Sequence, residues 1–380
     1  MPRLPYHLLR LTSKSPLLQL LLRECRDLES ARNELRWLRE HAISSVQNAG
    51  GHRDERNDSW KPLLRSLCVK RASGKPLQYL LGSEFFGDIE VACKPGVLIP
   101  RPETAAAVTY FAERLCSAAR KLPSTLRVLD LCCGTGCIPL LFQHVFAKNW
   151  PNARDPPHLS LVGADISADA VQLAEHNRLL LQQSLTGRSN AGSTWASRHA
   201  LDSTAFFQAD VLRPEQSPNP QGIPDLMTVL RQIDVPEWDI LISNPPYISS
   251  QSFHRDTQRS VRLFEPKTAL VPPRPGSSDP GTSQDLDEGD TFYPRLLQIA
   301  QDVGAKIVLM EVADLQQASR VAALASDTSV WDGIEIWRDH PRGKGPHLEK
   351  CRGEFPVRGS GHGRSVVCWR GEGTEWLQMM

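Results

Sequence analysis

The residues most suited to chemistry form the sequence Asn244-Pro245-Pro246-Tyr247, which follows the apolar run "DILIS" (239–243). A residue before proline is kept out of the helical region, and proline has a fixed φ and no N–H to donate. The side-chain oxygen of Asn244 and the carbonyl oxygen of Pro245 are therefore predicted to be two rigid acceptors. Together they can grip both N–H bonds of a planar NH2 group, and Tyr247 can stack on that group and exclude water. We expect these four residues to form a catalytic and substrate-binding clamp that aims an amide or aromatic amine at an electrophile.

A glycine-rich turn in "VLDLCCGTGCI" (128–138) follows a predicted strand and opens a helix. Gly134 and Gly136 allow a tight turn and a close approach of the backbone to a ligand. Asp130 ends the strand before the turn, and Asp165 ends the next strand, where a carboxylate suits a pair of ribose hydroxyls. The turn has no Lys-Ser/Thr pair, which argues against a nucleoside-triphosphate site. The pattern predicts a nucleotide-type cofactor, and both NAD and S-adenosylmethionine are compatible with it.

The third predicted strand ends in Asp210 and Val211, which could bracket an adenine ring by a hydrogen bond and an apolar contact. Asp165 and Asp210 could instead be ordinary helix-cap or turn residues. The amine clamp separates the two cofactors, because a methyl sulfonium requires an aimed nitrogen lone pair and hydride transfer does not. We therefore expect S-adenosylmethionine as the cofactor. The nine cysteines lack metal-type spacing, so no metal site is predicted.

The elements that position these residues alternate between strands and helices, which predicts an α/β, Rossmann-like parallel sheet covered on both faces. Short apolar strands are predicted at 126–131, 159–166, 205–212, 239–243 and 305–312. Helical patterns lie between them, and two late strands, "GIEIWRDH" and "RSVVCWRGE", are expected to be antiparallel.

The chain as a whole is predicted to have two domains joined by a linker. Leucines at helical spacing in 17–47 and a short helix ended by Gly74 indicate a small helical domain, in which "HAISSVQNAGGHRDERNDSW" is predicted to be a loop. The predicted parts are a helical domain at 1–78, a β-hairpin linker at 79–102 and the α/β domain at 103–380. Polar, Pro- and Gly-rich insertions, expected not to hold one structure firmly, are predicted near 186–204, 214–236 and 271–290.

Composition excludes several classes of protein. A formal net charge of +1 argues against a nucleic-acid binder that relies on bulk positive potential, and no apolar run approaches the length of a membrane helix. We expect all nine cysteines to be reduced and the protein to be intracellular. The first 23 residues contain Arg3, Arg10, Lys14 and Arg23 but no acid. This is typical of a mitochondrial leader, and a basic first helix is the alternative.

Several motifs, in order, resemble the HemK/PrmC-type release-factor glutamine methyltransferases over about residues 70–370. They are "GKPLQYLLGSEFFG", "VLIPRPET", "LDLCCGTGCI", "GADIS", "DILISNPPYI", "LFEPKTAL" and "GDTFYPRLL". The sequence NPPY alone is shared by many amino-group methyltransferases, whereas its combination with the flanking motifs is specific.

The resemblance implies a class I S-adenosylmethionine-dependent methyltransferase domain with a helical N-terminal domain. The implied reaction is N5-methylation of the glutamine in the GGQ loop of a class-I peptide chain release factor, which the helical domain helps to hold. Arg101 and Glu103 would lie near the bound substrate and order the rim of the site. The implied cofactor shell is Asp130, Cys132, Cys133, Gly134, Thr135, Gly136, Asp165, Asp210, Val211 and Asn244. Cys132 stands where the family has its first glycine, which we expect to be a mild change.

The helical domain and the acid-poor leader favour the mitochondrial matrix over the cytoplasm. We expect neither a membrane nor a nucleic acid to be required. An N6-adenine DNA or RNA methyltransferase is the alternative, since an exocyclic amine fits the same clamp and residues 338–364 are modestly basic. A binding module that has lost its activity is disfavoured by the intact clamp.

Overall fold

The computed structural model describes residues 15–48, 58–151, 155–186, 201–215, 217, 222–233, 235, 237–273, 287–343 and 355–377. The chain divides into two compact units. The first comprises Met1–Glu84, Cys93–Pro95 and Thr257–Glu265, and the second comprises Phe85–Ala92, Gly96–Asp256 and Pro266–Met380. Most of the predicted leader, residues 1–14, lies outside the described residues.

The helices and the strands are each numbered in chain order. The helices are α1 (Pro16–Cys25), α2 (Leu28–Asn48), α3 (Lys61–Ala72), α4 (Leu77–Leu81), α5 (Pro102–Ser117), α6 (Cys137–Asn149), α7 (Ala168–Thr186), α8 (Leu226–Gln232), α9 (Ser250–Arg255), α10 (Arg259–Phe264), α11 (Tyr293–Asp302), α12 (Leu315–Asp327) and α13 (Glu372–Leu377). The strands are β1 (Ser83–Phe86), β2 (Ile89–Ala92), β3 (Thr125–Leu131), β4 (His158–Asp165), β5 (Thr204–Gln208), β6 (Ile240–Ser243), β7 (Ile307–Glu311), β8 (Gly333–His340), β9 (Val357–Arg358) and β10 (Ser360–Trp369).

The first unit is helical, and its core is built by leucines such as Leu21, Leu22 and Leu38, which are fully buried. Burying each of these side chains contributes about 1.5–3 kcal/mol before entropy is counted. The helical run at 17–47 is divided at Arg26, whose φ of 61° ends α1. The prediction of a loop from residue 41 is wrong, because α2 continues to Asn48.

The hairpin predicted between the domains is present as β1 and β2, and α3 ends two residues before Gly74, as expected. Residues 79–81, predicted to begin the hairpin linker, belong instead to the short helix α4. Pro76 precedes its first turn, and Gly82, with φ 84°, ends it. These two residues are the usual start and stop signals of a helix, so a helical turn fits better than a strand here.

The second unit contains an eight-stranded sheet in the order β5-β4-β3-β6-β7-β10-β8-β9. Strands β5, β4, β3, β6 and β7 are parallel, and β10 is antiparallel to both β7 and β8. The predicted parallel sheet with antiparallel late strands is therefore confirmed. Alternate residues of each central strand enter different cores: Val128 and Ile240 pack on one face, whereas Leu129 and Leu241 pack on the other.

Two expectations about this unit need correction. The strand predicted at 205–212 ends at Gln208, and Asp210 forms only an isolated parallel bridge with Asp225. The segment 214–236 was expected to lack firm structure, yet it contains α8, whose Leu226, Val229 and Leu230 are buried in the core. Similarly, Asp290, at the end of the third insertion, is 1% exposed. Residues 187–200 and 274–286 of the other two insertions lie outside the described residues.

Within the described ranges, no helix is both long enough and apolar enough to cross a membrane. Eight cysteines fall in these ranges, and all eight are free thiols.

Candidate active site

The glycine turn follows β3 and contains three residues in the left-handed region. Cys132, Gly134 and Gly136 have φ values of 62°, 54° and 73°. At Gly136 an added Cβ would lie 2.8 Å from the side chains of Ala174 and Phe206, whereas at Gly134 it would meet nothing within 4 Å. Gly136 is therefore required for packing, and Gly134 faces open space. For Cys132 the left-handed conformation costs about 1–2 kcal/mol, so this change from glycine is less mild than the sequence suggested.

Asp165 connects the end of β4 to this turn. Its Oδ2 accepts a hydrogen bond from Gly134 N at 2.9 Å, and its Oδ1 accepts one from Ser167 N at 2.9 Å. Burial raises the pKa of Asp165, and these backbone N–H groups oppose the rise. Asp165 thus orders the turn and retains further lone pairs for donors such as hydroxyls.

Asp130, near the end of β3, and Thr135, in the turn, are buried polar side chains that have no hydrogen-bond partner among the described residues. Asp130 is fully buried, and in the part of the chain that the structure describes neither of its oxygens has a hydrogen-bond partner. Burial and the neighbouring charge of Asp165 raise the pKa of Asp130 well above its usual range. Thr135 Oγ1 is likewise buried without a partner. Buried acceptors of this kind are costly unless a ligand satisfies them.

The two residues predicted to contact adenine lie just beyond β5. Asp210 is half-buried, and its Oδ1 accepts from Leu212 N at 3.0 Å. Val211 is buried, and its carbonyl accepts a hydrogen bond from Arg295. Their proposed contacts with an adenine ring stay a prediction.

The Asn-Pro-Pro-Tyr segment begins where β6 ends, beside the glycine turn. Ser243 pairs with Leu131 in the parallel register of β6 and β3, and Ser243 Oγ donates to Leu131 O at 2.8 Å. The clamp and the turn therefore meet at the same carboxyl edge of the sheet, where ligands bind in open α/β folds.

A network of side-chain hydrogen bonds connects two residues of the clamp to Glu311. Asn244 Nδ2 donates to Thr104 Oγ1 at 3.4 Å, and Thr104 Oγ1 donates to Glu311 Oε2 at 2.5 Å. Tyr247 Oη donates to Glu311 Oε1 at 3.2 Å. Both oxygens of the buried Glu311 carboxylate thus accept hydrogen bonds, one from Tyr247 of the clamp and one from Thr104, which contacts Asn244.

Glu311 ends β7 and is 4% exposed. Burial raises its pKa to about 7, and the charge of Glu103 adds to the rise. The hydroxyls of Thr104 and Tyr247 and the charge of Arg364 lower the pKa, but do not offset burial. Glu311 therefore titrates near neutrality, in the range of groups that serve at functional sites.

The backbone of Tyr247 is fixed from the opposite side by Gln317 of α12. Gln317 Nε2 donates to Tyr247 O at 3.2 Å, to Gly289 O at 3.1 Å and to Asp290 Oδ1 at 2.9 Å. Asp290 also accepts hydrogen bonds from Arg320. The segment 288–290 thus supports the loop 244–247, which is predicted to be the catalytic loop.

The two rim residues expected from the sequence lie at the start of α5. Arg101 is its N-cap residue, with extended backbone, and both Arg101 and Glu103 are half-buried. The negative charge of Glu103 contributes to the raised pKa of both Tyr247 and Glu311, which places it near the clamp. Contact of Arg101 or Glu103 with a substrate stays a prediction.

The sheet order, with one reversed strand near its end, and the site at the carboxyl edge define a class I methyltransferase. The mitochondrial MRF1 N(5)-glutamine methyltransferase of Saccharomyces cerevisiae is 32% identical over 274 residues, which are 71% of this chain and 68% of that protein. A probable MRF1 mitochondrial N(5)-glutamine methyltransferase of Schizosaccharomyces pombe is 30% identical over 324 residues, 85% of this chain and 89% of that one. The chain belongs to the release factor glutamine methyltransferase family.

More distant comparisons agree with this assignment or add nothing to it. A release factor glutamine methyltransferase of Nitratidesulfovibrio vulgaris is 29% identical over 279 residues, 73% of each chain. Among solved structures, the ribosomal protein L11 methylase of Lactobacillus delbrueckii is 13% identical, with a TM-score of 0.31 over 72% of this chain and 81% of that one. No family model matches the chain.

The chain is a methyltransferase that uses S-adenosylmethionine, the cofactor of its class. The turn fits this molecule, because the buried carboxyl of Asp130 has no hydrogen-bond partner among the described residues, and a cation such as the ammonium or sulfonium of S-adenosylmethionine would favour its charged form. The open space above Gly134 and the remaining lone pairs of Asp165 suit its other polar groups. The residues predicted from the sequence thus surround one edge of the sheet.

Three residues that hold the Asn-Pro-Pro-Tyr segment were not predicted from the sequence: Thr104, Glu311 and Gln317. Glu311 is an acid at the carboxyl end of a strand that is otherwise apolar and fully buried. The same signal singled out Asp130 and Asp165, so applying it to β7 would have found Glu311.

Proposed function

We propose that this chain methylates N5 of the glutamine in the GGQ loop of a class-I peptide chain release factor, and that it does so in the mitochondrial matrix. Membership of the glutamine methyltransferase family supports the reaction, and the names of the two yeast relatives support the compartment. The observation that carries the proposal is the placement of Asn244-Pro245-Pro246-Tyr247 beside the glycine turn, through the register of β6 and β3.

In the proposed mechanism the protein acts by positioning and by hydrogen bonding. When bound, S-adenosylmethionine supplies a methyl group on a cationic sulfur that a neutral nucleophile can attack. Asn244 Oδ1 and the carbonyl oxygen of Pro245 accept hydrogen bonds from the two N–H groups of the substrate amide. These hydrogen bonds turn the nitrogen lone pair out of conjugation with the amide carbonyl. Tyr247 covers the amide and excludes water. The cofactor would supply the methyl group to this nitrogen and would keep the bonding electron pair on its sulfur, and the nitrogen would lose one of its two protons to solvent as the product leaves Asn244 and Pro245.

The alternative, an adenine methyltransferase, would use the basic segment 338–364. Arg358 pairs with Glu335 at 2.9 Å, and Arg364 pairs with Asp339 at 2.9 Å. These two cations are therefore already neutralised within the protein. We therefore propose a protein substrate, and the experiment below also tests a nucleic-acid substrate.

The proposal is tested by incubating the protein with labelled S-adenosylmethionine and either a mitochondrial release factor or an adenine-containing oligonucleotide. We expect label only in the release factor, at the GGQ glutamine, and none when that glutamine is replaced by alanine. Asn244→Ala should abolish transfer while cofactor affinity, measured by calorimetry, stays within about threefold, because it removes one of the two acceptors. Label in the oligonucleotide alone would refute the proposal.

The compartment is tested separately by fusing residues 1–40 to a fluorescent protein. We expect import into mitochondria, as predicted for a basic, acid-poor leader. Diffuse fluorescence in the cytosol would contradict this part of the proposal.

A further inference from the structure

We infer that Thr104 and Glu311 are positioning residues of methyl transfer. They determine that the oxygen of the Asn244 side-chain amide, and not its NH2 group, faces the substrate. This inference rests on the proposed clamp and goes beyond it. An asparagine amide has a donor end and an acceptor end of nearly the same shape. The clamp works only when the oxygen faces the substrate amine, so something in the protein must select that orientation.

The hydroxyl of Thr104 carries one proton, and the structure shows where that proton goes. Thr104 Oγ1 lies 2.5 Å from Glu311 Oε2, a short distance typical of a hydroxyl donating to a carboxylate. Having donated its proton, Thr104 Oγ1 can only accept, and Asn244 Nδ2 lies 3.4 Å from it. The opposite amide orientation would place two oxygens against each other with no proton between them. Glu311 therefore sets the amide of Asn244 through Thr104 and leaves Oδ1 for the substrate.

The second oxygen of Glu311 acts on the other side of the clamp. Glu311 Oε1 accepts a hydrogen bond from the hydroxyl of Tyr247 at 3.2 Å, and Gln317 Nε2 donates a hydrogen bond to the backbone carbonyl of Tyr247 at the same distance. The tyrosine is thus held at both ends. One carboxylate orders both the residue that grips the substrate nitrogen and the residue that covers it.

The arrangement requires an ionised Glu311, because a protonated carboxyl cannot accept from both hydroxyls at once. The groups that face it are Thr104 and Glu103 on α5, Tyr247 on the catalytic loop and Arg364 on β10, while Tyr293 donates to its backbone carbonyl. With a pKa of about 7, Glu311 loses part of its charge in mildly acidic solution. A charged carboxylate at a 4% exposed position opposes folding, so a role in function explains this residue better than a role in stability.

The experiment compares Thr104→Val, Thr104→Ser and Glu311→Gln with the wild-type protein, using steady-state methyl transfer to the release factor. Thr104→Val keeps the side-chain shape and removes the hydroxyl, and we expect kcat to fall about 10- to 100-fold, as for a misplaced reacting group. The KM for the release factor and the affinity for the cofactor should change by less than about threefold. Thr104→Ser should restore kcat to within about threefold of the wild type, because it returns the hydroxyl. Thr204→Val, at another buried threonine, is the control and should remain fully active.

Glu311→Gln supplies a readout that a purely structural role would not change. The wild-type kcat should rise with pH through about 7 and then level off, whereas the variant should be slow and independent of pH. Its thermal midpoint at mildly alkaline pH should equal or exceed that of the wild type, because a buried charge has been removed.

The inference is overturned if Thr104→Val keeps kcat within about twofold of wild type, or if valine and serine reduce kcat equally. It is also overturned if Glu311→Gln retains the acid limb of the wild-type pH profile. Failure of the proposed function gives a different pattern, since the wild-type protein would then label only the oligonucleotide. In that case the same comparison of kcat values, made with the oligonucleotide, tests the positioning role.

Discussion

Gly289 lies against the catalytic loop, and replacing it with alanine should impair methyl transfer selectively. An alanine Cβ at this position would lie 2.6 Å from the carbonyl oxygen of Tyr247 and 3.1 Å from Gln317 Nε2. The first of these neighbours is backbone, so it cannot move aside as the end of a flexible side chain can. The second makes the hydrogen bond that holds the same carbonyl.

The size of the effect follows from these distances. Ordinary contact begins at 3.4 Å, so the carbonyl of Tyr247 must retreat by about 0.8 Å. A displacement approaching 1 Å in a positioning residue costs up to about 100-fold in rate. Overpacking of this kind also costs about 1–3 kcal/mol of stability. We therefore expect Gly289→Ala to lower kcat by about 30- to 100-fold while the cofactor still binds.

The assay is methyl transfer to the release factor, together with calorimetric titration of the cofactor and thermal unfolding. Gly222→Ala is the matched control, because its φ of 71° makes alanine strained by about 1 kcal/mol although no atom lies within 4 Å. This control should lose stability and keep its activity. If Gly289→Ala transfers methyl groups at the wild-type rate, the segment 288–290 does not support the catalytic loop.

Three further predictions concern the cofactor turn and the loop support. Asp165→Ala should weaken cofactor binding by about 10-fold or more in calorimetry, because the backbone N–H groups of Gly134 in the turn and of Ser167 after β4 lose their acceptor; unchanged affinity would contradict this role. Cys132→Gly should keep transfer activity and leave the free energy of unfolding unchanged or raise it by up to about 1 kcal/mol, since glycine adopts a φ of 62° without strain; a loss above that amount would show that the thiol packs favourably. Arg320→Ala should destabilise the protein by about 1–2 kcal/mol in chemical denaturation, because buried Asp290 loses its half-exposed cation and keeps the hydrogen bond from Gln317, and a change below about 0.5 kcal/mol would refute this.

Much of the fold was predictable because its signals are local. The apolar runs of β3, β4, β6 and β7 and the helices between them stand out in the sequence, and the alternation of strand and helix fixes a parallel sheet. The errors came where local patterns were ambiguous. "LQYLL" has the apolar character of a strand but is bounded by Pro76 and Gly82, and the polar residues of 41–48 lie on the exposed side of a helix.

The site was predictable to the extent that each part lies in one continuous motif. Asp165, the glycine turn and Asn244 were found because proline, glycine and acid positions have fixed meanings at strand ends. The network beneath the clamp was not found, because Thr104 and Glu311 are 207 residues apart in the chain. Their hydrogen bond forms only once the start of α5 lies against the end of β7, and that packing cannot be deduced from a pair of separated residues.

The assignment of Thr257–Glu265 to the same unit as the N-terminal helices has a consequence for how this protein can be taken apart. Ser260 Oγ donates to Gly74 O at 2.7 Å, and Phe264 lies against Gly74, so this short piece is anchored to helices encoded almost two hundred residues earlier. A truncation near residue 85 would therefore remove those helices and leave α10 in place without its partners. Exchange of the helical unit between two relatives would have to transfer both pieces together. The boundary between the two units therefore crosses the chain more than once, and no single cut in the sequence separates them.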